Sequence, residues 1–141
     1  FRSTVRKFVQ DELAPRAREF DEAGRLDKAL YRRMGELGML GIRYDPRWGG
    51  SGLDWSYSAV LFEELARSDN AGVTMGISVH TDMATPSLHQ FGSDALRQKY
   101  LVPAIKGLPF GTPNWFGFGL NGAWGLVTAV FLDLMSKKRL G

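Results

Sequence analysis

The sequence predicts an all-α protein, a bundle of five or six short helices followed by an apolar C-terminal segment. Two patterns favour helices. Apolar residues recur every three or four positions, and residues that cap or end helices stand between these runs. No run of alternating apolar and polar residues precedes Gly107, so no strand is expected before that point.

The first two helices are predicted from apolar stripes. Residues 4–14 carry one stripe, with Ser3 or Thr4 as the expected N-cap, and Pro15 is expected to break or kink this helix or to start a new turn. Gly38 is expected to end the second helix, because glycine often follows the last helical turn. The apolar positions of the second helix are Leu26, Leu30, Met34 and Leu37.

A turn-rich segment, residues 46–52, separates the second helix from the third and is interpreted as a flexible turn. Its glycines do not form a phosphate-binding loop, because the lysine and hydroxyl residue of that motif are missing. The third helix is expected to be capped by Asp54 or Ser56, and the fourth by Asp69 or Asn70.

Two further helices are predicted before Gly107. Pro86 is expected to start or bend a fifth helix, and Ser93 or Asp94 to cap a sixth. The fourth helix differs from the others because it is unusually poor in charge from Ala71 through Thr81. A helix that is apolar all round is either buried in the core or lines an apolar cavity, and both interpretations stay open.

The composition changes abruptly near residue 107, which divides the chain into residues 1–107 and an apolar tail, residues 108–141. The tail holds four of the 33 charged residues, and residues 115–135 contain one charge. As a helix, this stretch would be about 30 Å long, enough to cross a bilayer, although its polar residues and glycines weaken that signal. The alternatives are an out-of-frame or foreign tail, which we favour, and an apolar helix packed on the bundle.

Composition and spacing exclude several classes of function. The chain has no cysteine, two histidines and a net charge of +3, which argues against a metal cluster or a nucleic-acid interface. Ser78, His80 and Asp82 do not form a catalytic triad, because positions two apart on a helix point in different directions. His80 is expected to bond to another helix and His89 to lie at the surface or in a loop.

The carboxylates of the third helix are expected to be structural. Glu63 and Glu64 are adjacent and therefore diverge on a helix, and no Glu-x-x-His pair for a di-iron site is present. Both residues are expected at the surface, with Glu63 paired to Arg67 at i,i+4.

Five stretches, in order and at matching spacing, resemble the N-terminal helical domain of the acyl-CoA dehydrogenase family. They span residues 1–107, about three quarters of the chain. Residues 80–86 (HTDMATP) look most like the long-chain and bacterial branches of that family. The five stretches are residues 5–15 (VRKFVQDELAP), 34–42 (MGELGMLGI), 46–54 (PRWGGSGLD), 63–67 (EELAR) and 91–103 (FGSDALRQKYLVP).

The resemblance implies a parent enzyme that uses FAD and is a homodimer or homotetramer. In that family a glutamate removes a proton from Cα of an acyl-CoA thioester while a hydride moves from Cβ to the flavin. The electrons then leave to an electron-transfer flavoprotein. The expected location is the cytoplasm, as in bacteria.

The resemblance also places one wall of the acyl pocket on the charge-poor helix. Asp82 is an unusual neighbour for an alkyl tail and is expected to pair with His80 or with a neighbouring domain. The matching wall positions are Thr74, Met75, Ser78, Val79 and Asp82.

The resemblance stops after Gly107. The family continues there into a β-domain with a Thr-Glu-Pro-Gly type motif that contacts flavin and substrate, whereas this chain reads LPFGTPN from residue 108. The catalytic glutamate of the third domain is also absent. We therefore assign no catalytic, flavin-binding or metal residue, and predict an N-terminal fragment that is inactive alone. The alternative is a helical interaction module with a membrane-associated tail.

Overall fold

The described part of the chain folds into five helices, and residues 37–54 form a long connection between the second and the third. A computed structural model describes residues 1–23 and 27–108, and within these ranges no strand is present. The all-α prediction is therefore confirmed, while the predicted C-terminal helix and its membrane association lie outside the described residues. The helices are α1 (residues 2–23), α2 (Lys28–Glu36), α3 (Trp55–Leu65), α4 (residues 71–91) and α5 (residues 94–105).

Three of these helices contain a π-helical segment, in which hydrogen bonds join residues five apart. Each segment ends two residues before a proline: Pro15, Pro86 or Pro103. Proline lacks an N–H and clashes with the carbonyl four residues earlier, and the wider π turn relieves this conflict. The segments are Val9–Leu13 in α1, Val79–Ala84 in α4 and Arg97–Leu101 in α5.

The helices therefore continue through their prolines. Pro15 lies in the 3₁₀ turn Ala14–Arg16, after which α1 resumes at Ala17–Ala23. Pro86 lies in the first turn of Thr85–Phe91, the last part of α4. The prediction of separate fourth and fifth helices is wrong for this reason, since α4 contains both.

Most predicted helix ends are confirmed. Asp54 caps α3, Asn70 caps α4 and Ser93 caps α5, each with a side-chain oxygen that accepts a backbone N–H. Gly38 follows α2 with φ of +72°, and the N–H of the next residue bonds back to the carbonyl of Met34, which satisfies the last turn. The predicted cap of α1 is wrong, because the helix already begins at Arg2 and includes Ser3 and Thr4.

The hydrophobic core has two clusters, and α4 belongs to both. The first joins α1, α2, α3 and the start of α4, where Val73 and Ile77 are buried. The second joins the rest of α4 to α5. The buried members of the second cluster are Tyr44, Val79, Ala84, Leu88, Leu101 and Ile105.

The turn in residues 46–52 is tied to the preceding loop by backbone hydrogen bonds. The N–H of Ser51 donates to the carbonyl of Gly41 over 2.8 Å, and the N–H of Gly52 donates to that of Tyr44 over 2.9 Å. At Gly50 a Cβ atom would stand 2.1 Å from the Tyr44 carbonyl oxygen, so only glycine allows this close approach. The turn thus fixes the backbone beside Tyr44.

Glu64 is buried, which corrects its predicted place at the surface. Its carboxylate accepts hydrogen bonds of 2.8–2.9 Å from Arg2 and Arg6 of α1, because α1 packs across α3 and lays both guanidinium groups over it. Arg6 and then Arg2 lower the pKa of Glu64 to about 2. Arg67 also pairs with Glu64, at 3.2 Å, rather than with Glu63. The network therefore ties α1 to α3.

Among the described residues, no helix combines the length and hydropathy that crossing a bilayer requires.

Candidate functional site on helix α4

Helix α4 presents one uncovered, partly apolar side. The charge-poor pattern allowed a helix buried on every side, but Met75 and Met83 are 61% and 54% exposed. Helices α1, α3 and α5 contact α4 and leave this side open. The helix is therefore part of the core on one side and a free surface on the other.

The five residues expected on a pocket wall divide between these two sides. Thr74 and Ser78 are half-buried, Met75 is exposed, and Val79 packs in the second core cluster. The hydroxyl of Thr74 donates within the chain, to the carbonyls of Asn70 and Leu65 at 3.1 and 3.3 Å. Thr74, Ser78 and Asp82 recur every fourth residue, so the helix carries a polar row beside an exposed methionine.

Asp82 is held by an arginine from the loop before the third helix. The Nη2 atom of Arg43 donates to an oxygen of Asp82 over 2.5 Å, and the hydroxyl of Thr81 donates to the other oxygen over 2.9 Å. The guanidinium of Arg43 lies over the indole of Trp55, 3.4 Å from the ring centroid. Both members of the ion pair are mostly buried, so the charge of Asp82 is matched locally.

His80 is not the partner of Asp82. It is buried on the core side of α4, where its Nε2 lies 3.2 Å from the carbonyl oxygen of Ala104 in α5. Burial lowers the pKa of His80 to about 4, so the ring is neutral near pH 7. The inter-helix hydrogen bond expected for His80 is confirmed, and Ser78, His80 and Asp82 do not converge.

His89 is half-buried and lies on α4 rather than in a loop. Its Nε2 accepts the backbone N–H of Asp45 over 3.2 Å, and its ring stacks on Tyr44 with centroids 4.8 Å apart. Burial, with Arg97 as the next contribution, lowers the pKa of His89. His89 therefore joins α4 to the loop that also supplies Arg43.

Tyr44 supplies a hydrogen-bond donor to a backbone carbonyl of α4 at the centre of the site. The N–H of Thr85 bonds to the carbonyl of His80, and Pro86, the next residue, has no N–H to offer the carbonyl of Thr81. The hydroxyl of Tyr44 donates to that carbonyl instead, over 2.7 Å, and lies 2.6 Å from the hydroxyl of Thr85. The loop therefore fixes the π segment that contains Val79 and Asp82.

Sequence reasoning did not identify Arg43, Tyr44 and Trp55 as parts of this site. Arg43 and Tyr44 lie 39 and 37 residues from their partners in α4, so no local spacing connects them. One signal was available in the sequence. Asp82 is a carboxylate on an otherwise charge-poor helix, so a cation from another part of the chain was needed to pair with it.

The space beside Asp82 is small. The cavity that Asp82 lines has a volume of about 10 Å³, too small for an organic ligand. No group of His, Asp and Glu side chains suited to a metal ion occurs within residues 1–23 and 27–108. The Thr74 hydroxyl and the Asp82 carboxylate are hydrogen-bonded inside the chain, and the open surface of the wall is apolar at Met75.

Comparison with known proteins gives one consistent result. The family model for the acyl-CoA dehydrogenase N-terminal domain matches residues 1–108. The mitochondrial long-chain specific acyl-CoA dehydrogenase of Sus scrofa is 37% identical over 105 residues, covering 74% of this chain and 24% of that protein. The short-chain specific acyl-CoA dehydrogenase of Clostridium acetobutylicum is 35% identical over 111 residues, covering 78% of this chain and 29% of that protein.

A solved structure agrees with the sequence relatives. The crystal structure of an acyl-CoA dehydrogenase from Geobacillus kaustophilus matches with a TM-score of 0.71 and 32% identity, over 76% of this chain and 28% of that one. The chain thus spans about a quarter of the length of the relatives it matches.

Proposed function

Because the chain belongs to the acyl-CoA dehydrogenase family, we propose that it is the N-terminal helical part of a flavin-dependent enzyme that dehydrogenates acyl-CoA thioesters between Cα and Cβ. The observation that carries this proposal is the match of the N-terminal domain over residues 1–108. The parent enzyme would use FAD, pass its electrons to an electron-transfer flavoprotein, form a homo-oligomer and reside in the cytoplasm.

The reaction itself would need groups beyond the described residues. The carboxylates of Glu64 and Asp82 and the amide of Asn70 all have partners within the chain, so none of them is open to a flavin or a thioester. These three groups would therefore not hold FAD, and no step of the reaction is assigned to them. Alone, this chain would not turn over substrate.

The contribution of the chain would be one wall of the acyl pocket, on the uncovered side of α4. Met75 offers apolar surface there, and Thr74 and Ser78 are small enough to let another element approach closely. Arg43 would keep Asp82 neutralised, so that an alkyl chain beside it would not meet an unpaired charge.

A chimera tests this function. Residues 1–108 replace the matching segment of the Geobacillus kaustophilus enzyme, and acyl-CoA-dependent reduction of an artificial electron acceptor is measured. The chimera should be active, and the 141-residue chain supplied with FAD should not. Met75→Glu should raise KM for acyl-CoA, because it places a charge on the wall, whereas Ala95→Glu, on an exposed position of α5, should leave KM unchanged.

Three results would count against the proposal. A folded, flavin-loaded chimera that is inactive on acyl-CoA of every chain length would contradict the proposed activity. An unchanged KM in Met75→Glu would show that this side of α4 does not form a wall of the acyl pocket. Turnover by the 141-residue chain with FAD would contradict its predicted inactivity.

A further inference from the structure

The methionines of the chain fall into two classes of exposure. Met34 and Met39 are 1% and 0% exposed in the first core cluster, while Met75 and Met83 are 61% and 54% exposed on α4. The chain holds five methionines, and the fifth lies in the tail outside the described residues. Solvent can therefore reach two of the four described thioether groups.

The two exposed methionines share the uncovered side of one helix. They are eight residues apart, and the π segment between them adds a residue to the turn, so that they stand about two turns apart. Met83 directly follows Asp82, the end of the polar row, and Met75 lies beside its first member, Thr74. Oxidation at either position would thus act on the same surface.

We propose that Met75 and Met83 are sites of reversible oxidation by peroxides. A sulfur lone pair attacks one peroxide oxygen, the O–O bond breaks and an S=O bond forms. For hydrogen peroxide the other oxygen leaves as water, so the thioether loses two electrons and the peroxide gains them. The product, methionine sulfoxide, is polar and chiral, and methionine sulfoxide reductases return it to the thioether.

The consequence of this modification rests on the proposed function, but the modification itself does not. A sulfoxide at Met75 replaces the apolar part of the wall with a strong hydrogen-bond acceptor, which should weaken the contact with an alkyl chain. Peroxide would then raise KM for acyl-CoA in the chimera described above. Removal of the sulfur by Met75→Leu should prevent this change, because leucine has similar volume and no oxidisable group.

The sequence provides a direct test in the full chain. Trypsin cleaves after Arg33, Arg43, Arg67 and Arg97, so both buried methionines leave in one peptide and both exposed ones in another. The 141-residue chain is treated with hydrogen peroxide, digested, and each sulfoxide is located by tandem mass spectrometry. Met75 and Met83 should oxidise at least about tenfold faster than Met34 and Met39, because oxidation follows exposure.

Two controls make the result specific. In guanidinium chloride all four described methionines should oxidise at similar rates, which shows that the fold causes the difference. Met75→Leu and Met83→Leu should each remove one oxidation from the exposed peptide and leave the other. Treatment of the oxidised chain with methionine sulfoxide reductases and a thiol reductant should restore the original mass.

The proposal fails if Met34 or Met39 oxidises as fast as Met75 in the folded chain. It also fails if Met75 and Met83 resist peroxide that oxidises free methionine, or if the reductases do not restore them. None of these mass measurements depends on acyl-CoA activity. An inactive chimera would therefore overturn the proposed function and leave this inference standing.

Discussion

Replacement of Tyr44 by phenylalanine removes the hydrogen bond that its hydroxyl donates to the carbonyl of Thr81. Tyr44 is 3% exposed, and burial raises the pKa of its hydroxyl well above the usual range, so the group is a neutral donor at every pH of interest. The ring still fills its place in the second core cluster when the hydroxyl is absent. The change therefore leaves a buried carbonyl without a donor at little cost in packing.

The expected loss follows from that unsatisfied group. A buried acceptor left without a partner costs about 1–3 kcal/mol, and we expect about 2 kcal/mol here. For a chain of this size, this loss should lower Tm by roughly 8 °C. The assay is urea denaturation followed by circular dichroism at 222 nm, with an unchanged m-value, because the surface exposed on unfolding stays the same.

Two further variants test the cause of the loss. Tyr57→Phe is the control, because among the described residues nothing bonds to the Tyr57 hydroxyl, and it should change stability by less than about 0.5 kcal/mol. In the Pro86→Ala background the chain regains an N–H near the Thr81 carbonyl, so Tyr44→Phe should cost less than about 1 kcal/mol. A stability of Tyr44→Phe within about 0.5 kcal/mol of the original, or an equal cost in both backgrounds, would refute the reasoning.

Two other predictions concern single buried groups. Asn70→Asp keeps the cap of α4 but loses the donors to the carbonyl of Ala17 and the carboxylate of Asp21, so it should destabilise by about 2–3 kcal/mol in urea denaturation. Asn70→Ser, which adds no charge, should cost less; an equal or smaller loss in Asn70→Asp would contradict this account. Since burial lowers the pKa of His80 to about 4 from its usual 6.5, unfolding takes up a proton in that interval and stability should fall as pH drops through it. The slope from this group should reach at most about 1.4 kcal/mol per pH unit and be absent in His80→Gln; equal slopes with and without His80 would show that it does not carry this dependence.

Local chemistry in the sequence predicted most of the fold. Asp54, Asn70 and Ser93 cap helices because each needs only the N–H groups two or three residues ahead. Gly38 ends α2 for an equally local reason, its left-handed φ. Such contacts depend on a few consecutive residues and are therefore readable without knowledge of the tertiary structure.

The failures lie where a distant residue changes a local rule. Pro86 alone would be expected to end a helix, because it offers no N–H to the carbonyl of Thr81. The hydroxyl of Tyr44 bonds to that carbonyl instead, and the π turn makes room for the proline ring. The sequence predicts Glu64 as a surface carboxylate near Arg67. In the structure Arg2 and Arg6, which are some 60 residues away along the chain, cover it. The candidate wall was predicted from the family resemblance. The ion pair between Arg43 and Asp82 was not predicted, because the two residues come together only when the chain folds.

The π segment of α4 also sets the angular relation between the two hydrophobic clusters. Before it, Val73 and Ile77 point into the first cluster; beyond it, Ala84 and Leu88 point into the second. If the same residues formed a regular α-helix without the wider turn, Leu88 would be turned by about 100° around the axis. Leu88 would then leave Leu101 and Ile105, and the chain would lose one cluster while keeping the other. The wider turn thus allows one continuous helix to serve both clusters.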